Sequence, residues 1–238
     1  MIIDKNETAI ARQNLANARE LFDSYLNKIF IDFANSYPSI QLGTVTEKIT
    51  KGSSPKWQGI NYVDSPGILY ITSEKVGVTE IILEKTKYVE DKFNEKDKKS
   101  VLKKGDVLTN IVGASIGRTA IYKMGNSANI NQAVCLIRCW PEKLLNKYLC
   151  LLLNSPFFRD ILHQNEVNMA RANLSLTFFR NLNIPLPSIE EQRKAVHDIH
   201  LLMNKSQKLE AIYQRKLEAL AELKQSILQK AFTGQLTP

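Results

Sequence analysis

The sequence predicts an α+β fold: one mixed α/β domain, preceded by an N-terminal helix and followed by a long C-terminal coiled-coil helix. Three observations predict it. Short β-branched and aromatic runs alternate with Gly, Pro, Asn and Lys clusters over residues 40–143, a texture of strands and turns. Residues 189–232 contain neither Pro nor Gly and carry apolar side chains three and four apart. Residues 8–34 repeat that helical spacing before Tyr37-Pro38-Ser39 breaks it. The expected division is an N-terminal helical segment over 1–38, a mixed domain over 39–188 and the long helix over 189–238.

Each element has its own signal. The first helix gathers Leu15, Ala18, Phe22, Tyr25, Leu26, Ile29, Phe30 and Phe33 on one face, leaving Arg19, Asp23 and Lys28 outside. Strand signals then fall on 67–71, 80–83, 106–109, 119–122 and 133–137, while 90–104 reads as a solvated loop. A helix is expected over 141–153. Another opens at Ser155-Pro156, a capping serine followed by proline at the first helical position. A short helix starts near Ser175. Residues 183–187 are extended, because Pro185 and Pro187 cannot join a helix interior.

Ser188-Ile189-Glu190-Glu191 is a capping box that opens the last helix. Its stripe runs through Val196, Ile199 and Met203 and slips phase near Ser206. It resumes at Leu209, Ile212, Leu217, Leu220, Leu223 and Ile227, and Gly234 stops the helix. About 43 residues rising 1.5 Å each span roughly 65 Å, too long to lie on a domain of this size. Such a stripe needs a partner helix and reads as a coiled-coil arm. The first helix ends in a similar pattern, so the chain is expected to pair with itself, or with a second similar chain, through its helices.

Composition narrows the class. The 238 residues are 44% hydrophobic and 24% charged, so a packed core is expected and a disordered chain is excluded. No stretch approaches the roughly 18 apolar residues of a membrane span. The start lacks the pattern of a secretory signal, and three cysteines make no disulfide framework. A cytoplasmic protein without a membrane is expected. Net charge is +8 and unevenly spread. Residues 41–188 hold 20 basic and 13 acidic side chains, against 4 and 5 before them and 8 and 6 after them. That excess suggests an anionic partner for the middle segment, with nucleic acid the default candidate.

Catalytic patterns are missing. There is no phosphate-cradling Gly-x-x-x-x-Gly-Lys-Ser/Thr, no Gly-x-Ser-x-Gly elbow, no His-Glu-x-x-His and no methyltransferase tetrapeptide. Cys135 and Cys139 share one strand face, but their spacing is not a zinc pair, and buried apolar cysteines are the better reading. Asp64 with Glu90 and Lys92 matches a nuclease metal pattern only as Lys- and Glu-rich chains do by chance. No metal site is expected.

Binding features are stronger. Thr50-Lys51-Gly52-Ser53-Ser54-Pro55-Lys56-Trp57 combines lysines and hydroxyls suited to phosphates with an aromatic ring, whose alternative role is a lid on the core. The stretch Asn110-Ile111-Val112-Gly113-Ala114-Ser115-Ile116-Gly117-Arg118 puts glycines after a strand, where backbone can approach a partner. Asn129-Ile130-Asn131-Gln132 offers amides that can read adenine edges, or cap a turn before the next strand. Met169-Ala170-Arg171-Ala172-Asn173 adds an Arg and an Asn on a loop.

Several stretches, in this order along the chain, resemble the specificity subunit of type I restriction-modification systems. They are Leu102-Lys103-Lys104-Gly105-Asp106-Val107-Leu108, residues 113–118, Asn129-Ile130-Asn131-Gln132-Ala133-Val134 and Asn173-Leu174-Ser175. Two further stretches follow: Ile184-Pro185-Leu186-Pro187-Ser188-Ile189-Glu190-Glu191-Gln192 and Leu223-Lys224-Gln225-Ser226-Ile227-Leu228-Gln229-Lys230-Ala231-Phe232-Thr233-Gly234-Gln235-Leu236. The resemblance covers roughly residues 20–238. It implies a target recognition domain of mixed structure that reads one half of a split DNA sequence. It also implies a helix that acts as spacer and docks methyltransferase subunits. The usual family member has two of each, whereas this sequence has one, so a homodimer or a pairing with another half is expected. A homodimer reads a palindromic pair of half-sites.

The resemblance further implies no bond chemistry in this chain and no cofactor of its own. S-adenosylmethionine, ATP and Mg would belong to the methyltransferase and restriction subunits. Candidate contacts to double-stranded DNA are Lys51, Ser53, Lys56, Lys75, Arg118, Asn131, Gln132, Arg171 and Asn173. Lysines would set register on phosphates, and Arg, Asn and Gln would read bases. Two alternatives stay open: a stand-alone Mg-dependent nuclease built on Asp64, Glu90 and Lys92, and a coiled-coil scaffold with a basic domain.

Overall fold

The computed structural model describes residues 2–64, 66–165 and 173–233, with backbone alone for 2–5. The chain forms two compact units, one of residues 27–196 and the other of residues up to 26 together with 197 onward. Helix α1 (Ile2–Ser36) and helix α6 (Ile189–Phe232) each contribute to both.

Within the larger unit the chain runs through β1 (Ser39–Gln41), β2 (Thr46–Lys51), β3 (Tyr62–Val63), β4 (Ile68–Ile71) and β5 (Lys87–Val89). It continues as α2 (Lys92–Lys96), β6 (Val107–Asn110), β7 (Thr119–Ile121), β8 (Ala128–Ile130) and β9 (Val134–Cys139). Helices α3 (Asn146–Asn154), α4 (Pro156–Gln164) and α5 (Leu176–Asn181) follow, then β10 (Asn183–Pro185). The described strands form an antiparallel sheet β2-β9-β6-β7, a mixed sheet β3-β5-β4-β8 with β4 and β8 parallel, and a ribbon β1-β10.

The two larger sheets share a core. Leu69 and Ile71 of β4, Ala128 and Ile130 of β8, Leu108 of β6, and Val134 and Leu136 of β9 form one buried cluster. The intervening Ile68 and Tyr70 point the other way, into a second cluster with Ile60, Val89 and Phe93. Side chains alternate across a strand, so β4 is apolar throughout because both of its faces are covered. Helix α3 packs on β7 and β6, and its Tyr148 meets Phe30 edge to face and stacks on Phe33 at the end of α1.

The expected caps form at Ser155 and Ser188, and Ser175 caps as well: Ser155 and Ser175 accept from Phe158 N and Phe178 N. Ser188 Oγ accepts from Glu191 N at 3.3 Å while the Glu191 carboxylate accepts from Ser188 N at 2.9 Å. Four local expectations need correction. Helix α3 starts at Asn146 rather than at residue 141, because Leu144 N bonds Trp140 O in a turn and Leu145 N bonds the Gln192 side chain. Residues 80–83 form no strand. Thr79 and Lys85 take positive φ and turn the chain, leaving Ile82 and Leu83 exposed. Residues 90–104 are not a solvated loop, since they hold α2 with buried Phe93, Asp97 and Ser100. Trp57 is no lid on the core: it is 78% exposed.

In the smaller unit the early part of α1 lies antiparallel to α6. Ser206 Oγ donates to Ala18 O at 2.7 Å, Arg19 pairs with Glu210 at 2.8 Å, and Lys216 pairs with Glu7 at 3.1 Å. The partner of the arm is therefore helix α1 of the same chain. Small residues make the seam, with Ala11, Ala18 and Ser206 all buried. The phase slip at Ser206 marks where its hydroxyl reaches the opposite backbone. The coverage is incomplete: Leu209, Ile212, Leu223 and Ile227 remain exposed. Gly234, read as the helix stop, lies outside the described residues. No helix among the described residues is long and apolar enough to cross a membrane.

Candidate nucleic-acid interface

Strand directions bring separate loops to one end of the larger unit. Strand β2 runs out at Lys51, opposite Cys135 near the start of β9, and β6 runs out at Asn110, opposite Val134. Strands β4 and β8 end side by side, Ile71 beside Ile130. The turn at 131–133 joins these ends: Asn131 N donates to Ile71 O at 3.1 Å, and Ile111 N donates to Ala133 O at 3.0 Å. Val112 bridges Asn173, and Leu174 N donates to Ile111 O at 2.9 Å.

Lys51, Ser53 and Lys56 therefore follow β2, Lys75 follows β4, Arg118 lies on the turn after β6, and Asn131 and Gln132 follow β8. Asn173 bridges into the same end. Lys51, Lys56, Arg118, Gln132 and Asn173 are exposed there. Arg171 lies outside the described residues.

The loop after β2 is held from several sides. Ser53 Oγ donates to Asp97 Oδ2 at 2.6 Å, and Asp97 is almost wholly buried. Tyr70 OH donates to Ser53 O at 2.8 Å, and Lys96 Nζ donates to Gln58 O at 2.6 Å. A Cβ on Gly52 would lie 1.7 Å from Ile130 O, so only glycine lets this loop sit against the end of β8. Burial first, then the charges of Tyr62 and Asp97, raise the Tyr70 phenol well above its ordinary value, so it stays a donor.

Other predicted residues have local duties as well. Asn131 Oδ1 accepts from Ala133 N at 3.1 Å, the turn-capping role. Lys75 donates to the Glu84 carbonyl. Asn110 Nδ2 ties Ser73 O at 2.8 Å to Ser115 Oγ at 3.1 Å, joining the loop after β4 to the Arg118 turn. Asn110 Oδ1 and Thr72 Oγ1, at this same end, are buried without a hydrogen-bond partner among the described residues. Sequence reasoning missed Asp97, while Asn110 and Asn129, read there as parts of candidate binding stretches, are positioning groups. Asn129 Nδ2 donates to Asn94 Oδ1 and to Asp97 O. Asp97 stands in a lysine-rich run whose composition reads as solvent-facing, so no sequence signal marked it.

The metal pattern does not assemble. Val63 pairs with Tyr88 and Tyr62 with Val89, so Asp64 and Glu90 fall at opposite ends of the β3–β5 pair. Among the described residues no three His, Cys, Asp or Glu side chains could hold a metal ion. Burial pushes the thiols of Cys139 and Cys150 up to about 12 and raises that of Cys135 too, as for apolar core cysteines.

Comparison with known proteins points to one family. The family model of the type I restriction modification DNA specificity domain matches residues 37–219. The chain is 37% identical over 140 residues to the type I restriction enzyme EcoBI specificity subunit of Escherichia coli, covering 59% of this chain and 29% of that protein. It is 24% identical over 174 residues to the MjaVIII specificity subunit of Methanocaldococcus jannaschii, covering 71% and 40%. A solved chain from work on assembly and conformational transition of the type I R-M system superposes with TM-score 0.76 at 20% identity, covering 98% of this chain and 56% of that one. The HsdS subunit from Thermoanaerobacter tengcongensis gives TM-score 0.66 at 22% identity, covering 96% and 54%. These two likenesses concern the fold. The chain spans about half of each solved chain and less than half of each curated relative. A family match over most of its length, on a fold with an N-terminal helix and a long C-terminal helix, places this chain in the type I restriction-modification DNA specificity family.

Proposed function

We propose that this chain is the DNA-reading component of a type I restriction-modification complex, recognising one half of a bipartite duplex target. The observation that carries the reading is the shared end of the larger unit, where the loops after β2, β6 and β8 and the segment before α5 present Lys51, Lys56, Arg118, Gln132 and Asn173 together. Cations there neutralise phosphates and set register, while Arg118 and the amides of Asn131, Gln132 and Asn173 discriminate base edges. Lys75 adds charge behind them.

The chain does no bond chemistry on this reading. It positions adenine methyltransferase subunits and the restriction subunit, which supply S-adenosylmethionine, ATP and Mg, in the cytoplasm where the DNA lies. Two copies associate through α1 and α6, since Leu209, Ile212, Leu223 and Ile227 are left uncovered within the chain. The likeness to a solved chain from the type I R-M system supports the complex; the nuclease alternative is disfavoured by the separation of Asp64 from Glu90.

The test is a methylome of the source cells with and without this gene. Loss of one split adenine-methylated motif is the expected result. An unchanged methylome, joined to failure of the chain plus methyltransferase subunits to bind DNA, would overturn it.

A further inference from the structure

Trp57 has no packing role that accounts for it. It lies on a 3-10 turn over Pro55–Gln58, with 78% of its surface exposed. Exposing so large an apolar ring forgoes the burial that aromatic residues ordinarily bring to a fold. The turn that carries it is nonetheless tightly held. Pro55 is buried at the first position, Trp57 N donates to Ser54 O at 3.2 Å, and Gly59 closes the turn in the left-handed conformation at φ 65°. Ser53, Tyr70, Asp97 and Lys96 brace the same segment through the bonds described above. A ring held out on a braced turn is set before any partner arrives, and little conformational entropy is left to lose on contact.

Its neighbours give the partner's chemistry. Lys51 and Lys56 flank the ring in the chain and are exposed, and Lys96 is fastened to the carbonyl next to it. The loop sits at the end of the sheets that also carries Arg118 and the 131–133 turn. An apolar ring among cations suits a polyanion that has apolar faces between its charges, which is the surface of duplex DNA.

We propose that Trp57 is itself a DNA contact, its indole inserting into a groove as an apolar wedge between phosphates held by Lys51 and Lys56. This rests on the DNA-reading function proposed above. The wedge supplies affinity that tolerates sequence, because every base step offers an apolar face, while Arg118 and the amides discriminate.

The chain contains two tryptophans, and the fold makes the other an internal control. Trp140 follows Cys139 at the far end of β9, whereas Lys51 lies opposite Cys135 near its beginning. In the experiment the full chain is prepared as Trp140→Phe, which leaves only Trp57, and as Trp57→Phe, which leaves only Trp140. A fluorescein-labelled duplex of random sequence reports binding by anisotropy at low salt, and an unlabelled duplex is used to follow tryptophan emission. Expected are quenching of Trp57 emission by DNA, constant Trp140 emission, and about tenfold weaker binding by Trp57→Ala. Wild-type affinity in Trp57→Ala, with Trp57 emission unmoved by bound duplex, would overturn the wedge and leave DNA recognition standing. If the wild-type chain binds no duplex even with the methyltransferase subunits added, the DNA-reading function falls and the wedge with it. Circular dichroism of Trp57→Ala guards against misfolding, and Trp57→Phe, which keeps a ring, should lose less affinity than Trp57→Ala.

Discussion

Asp106 and Arg138 face each other in the interior, with side chains 1% and 10% exposed and two contacts of 2.7 Å between guanidinium and carboxylate. Lys103 N also donates to Asp106, and Glu47 lies 3.6 Å from Arg138. The hydrogen bonds it donates to Asp106 raise the guanidinium pKa further, against the lowering effect of burial. Such a pair adds little net stability, yet removing one partner strands the other charge. Arg138→Met is expected to cost about 3–5 kcal/mol in urea unfolding. The double change with Asp106→Asn should restore a measurable part, because the two groups are coupled. Arg118 is the opposite case, exposed at the candidate interface and free of a core role. Arg118→Ala should weaken binding to the methylated motif by about 1–3 kcal/mol and binding to random duplex far less. Equal loss on both DNAs, read by competition, would remove Arg118 from base reading.

At the scale of elements, the start of α6 is fixed by side chains rather than by propensity. Ser188 and Glu191 cap it, Tyr37 OH donates to Glu191 Oε1 at 2.8 Å, and Gln192 bonds Leu145 N, Lys143 O and Pro187 O. The bond from the Ser188 hydroxyl, then that from Tyr37, holds the Glu191 carboxyl below its ordinary value. A carboxylate depressed in the folded state contributes stability above its unfolded pKa and loses it as pH falls through the folded one. Glu191→Ala should therefore lower the urea midpoint at neutral pH, and the gap from wild type should close in the acid range below the depressed pKa. A gap that persists unchanged in acid would show that the cap acts through packing alone.

At the scale of the whole molecule, the exposed apolar residues of α6 motivate the proposed two-copy assembly. Light scattering should report twice the 27.0 kDa chain mass, and Ile212→Glu with Leu223→Glu should halve it. A two-fold assembly reads a palindromic pair of half-sites, so the methylated motif should be symmetric. An asymmetric motif together with a monomeric mass would point to pairing with a different half.

Much of this was legible in the residues themselves. Periodicity marked α1 and α6, capping serines located α4 and α6, and the ordered stretches from Leu102 to Leu236 pointed to the family. Local sequence carries such features because caps and helical stripes depend on neighbours a few positions apart. Strands β1, β3, β5 and β8 were not legible, being two or three residues long with too few positions to show alternation, and β2 was missed too because its Thr46–Lys51 stretch is mostly polar. Nor was Asp97, which lies among lysines and is buried because α2 packs it under the loop after β2. Which helix covers the arm, and which loops share one end, depend on contacts far apart in the chain. Ser206 meets Ala18 across 188 positions, and that pairing is decided by which close approach the folded chain permits. Lys51, Arg118 and Gln132 were each visible as polar groups on loops. Only the register of β2 on β9 and of β4 beside β8 made them one surface, because strand direction determines which loops emerge together.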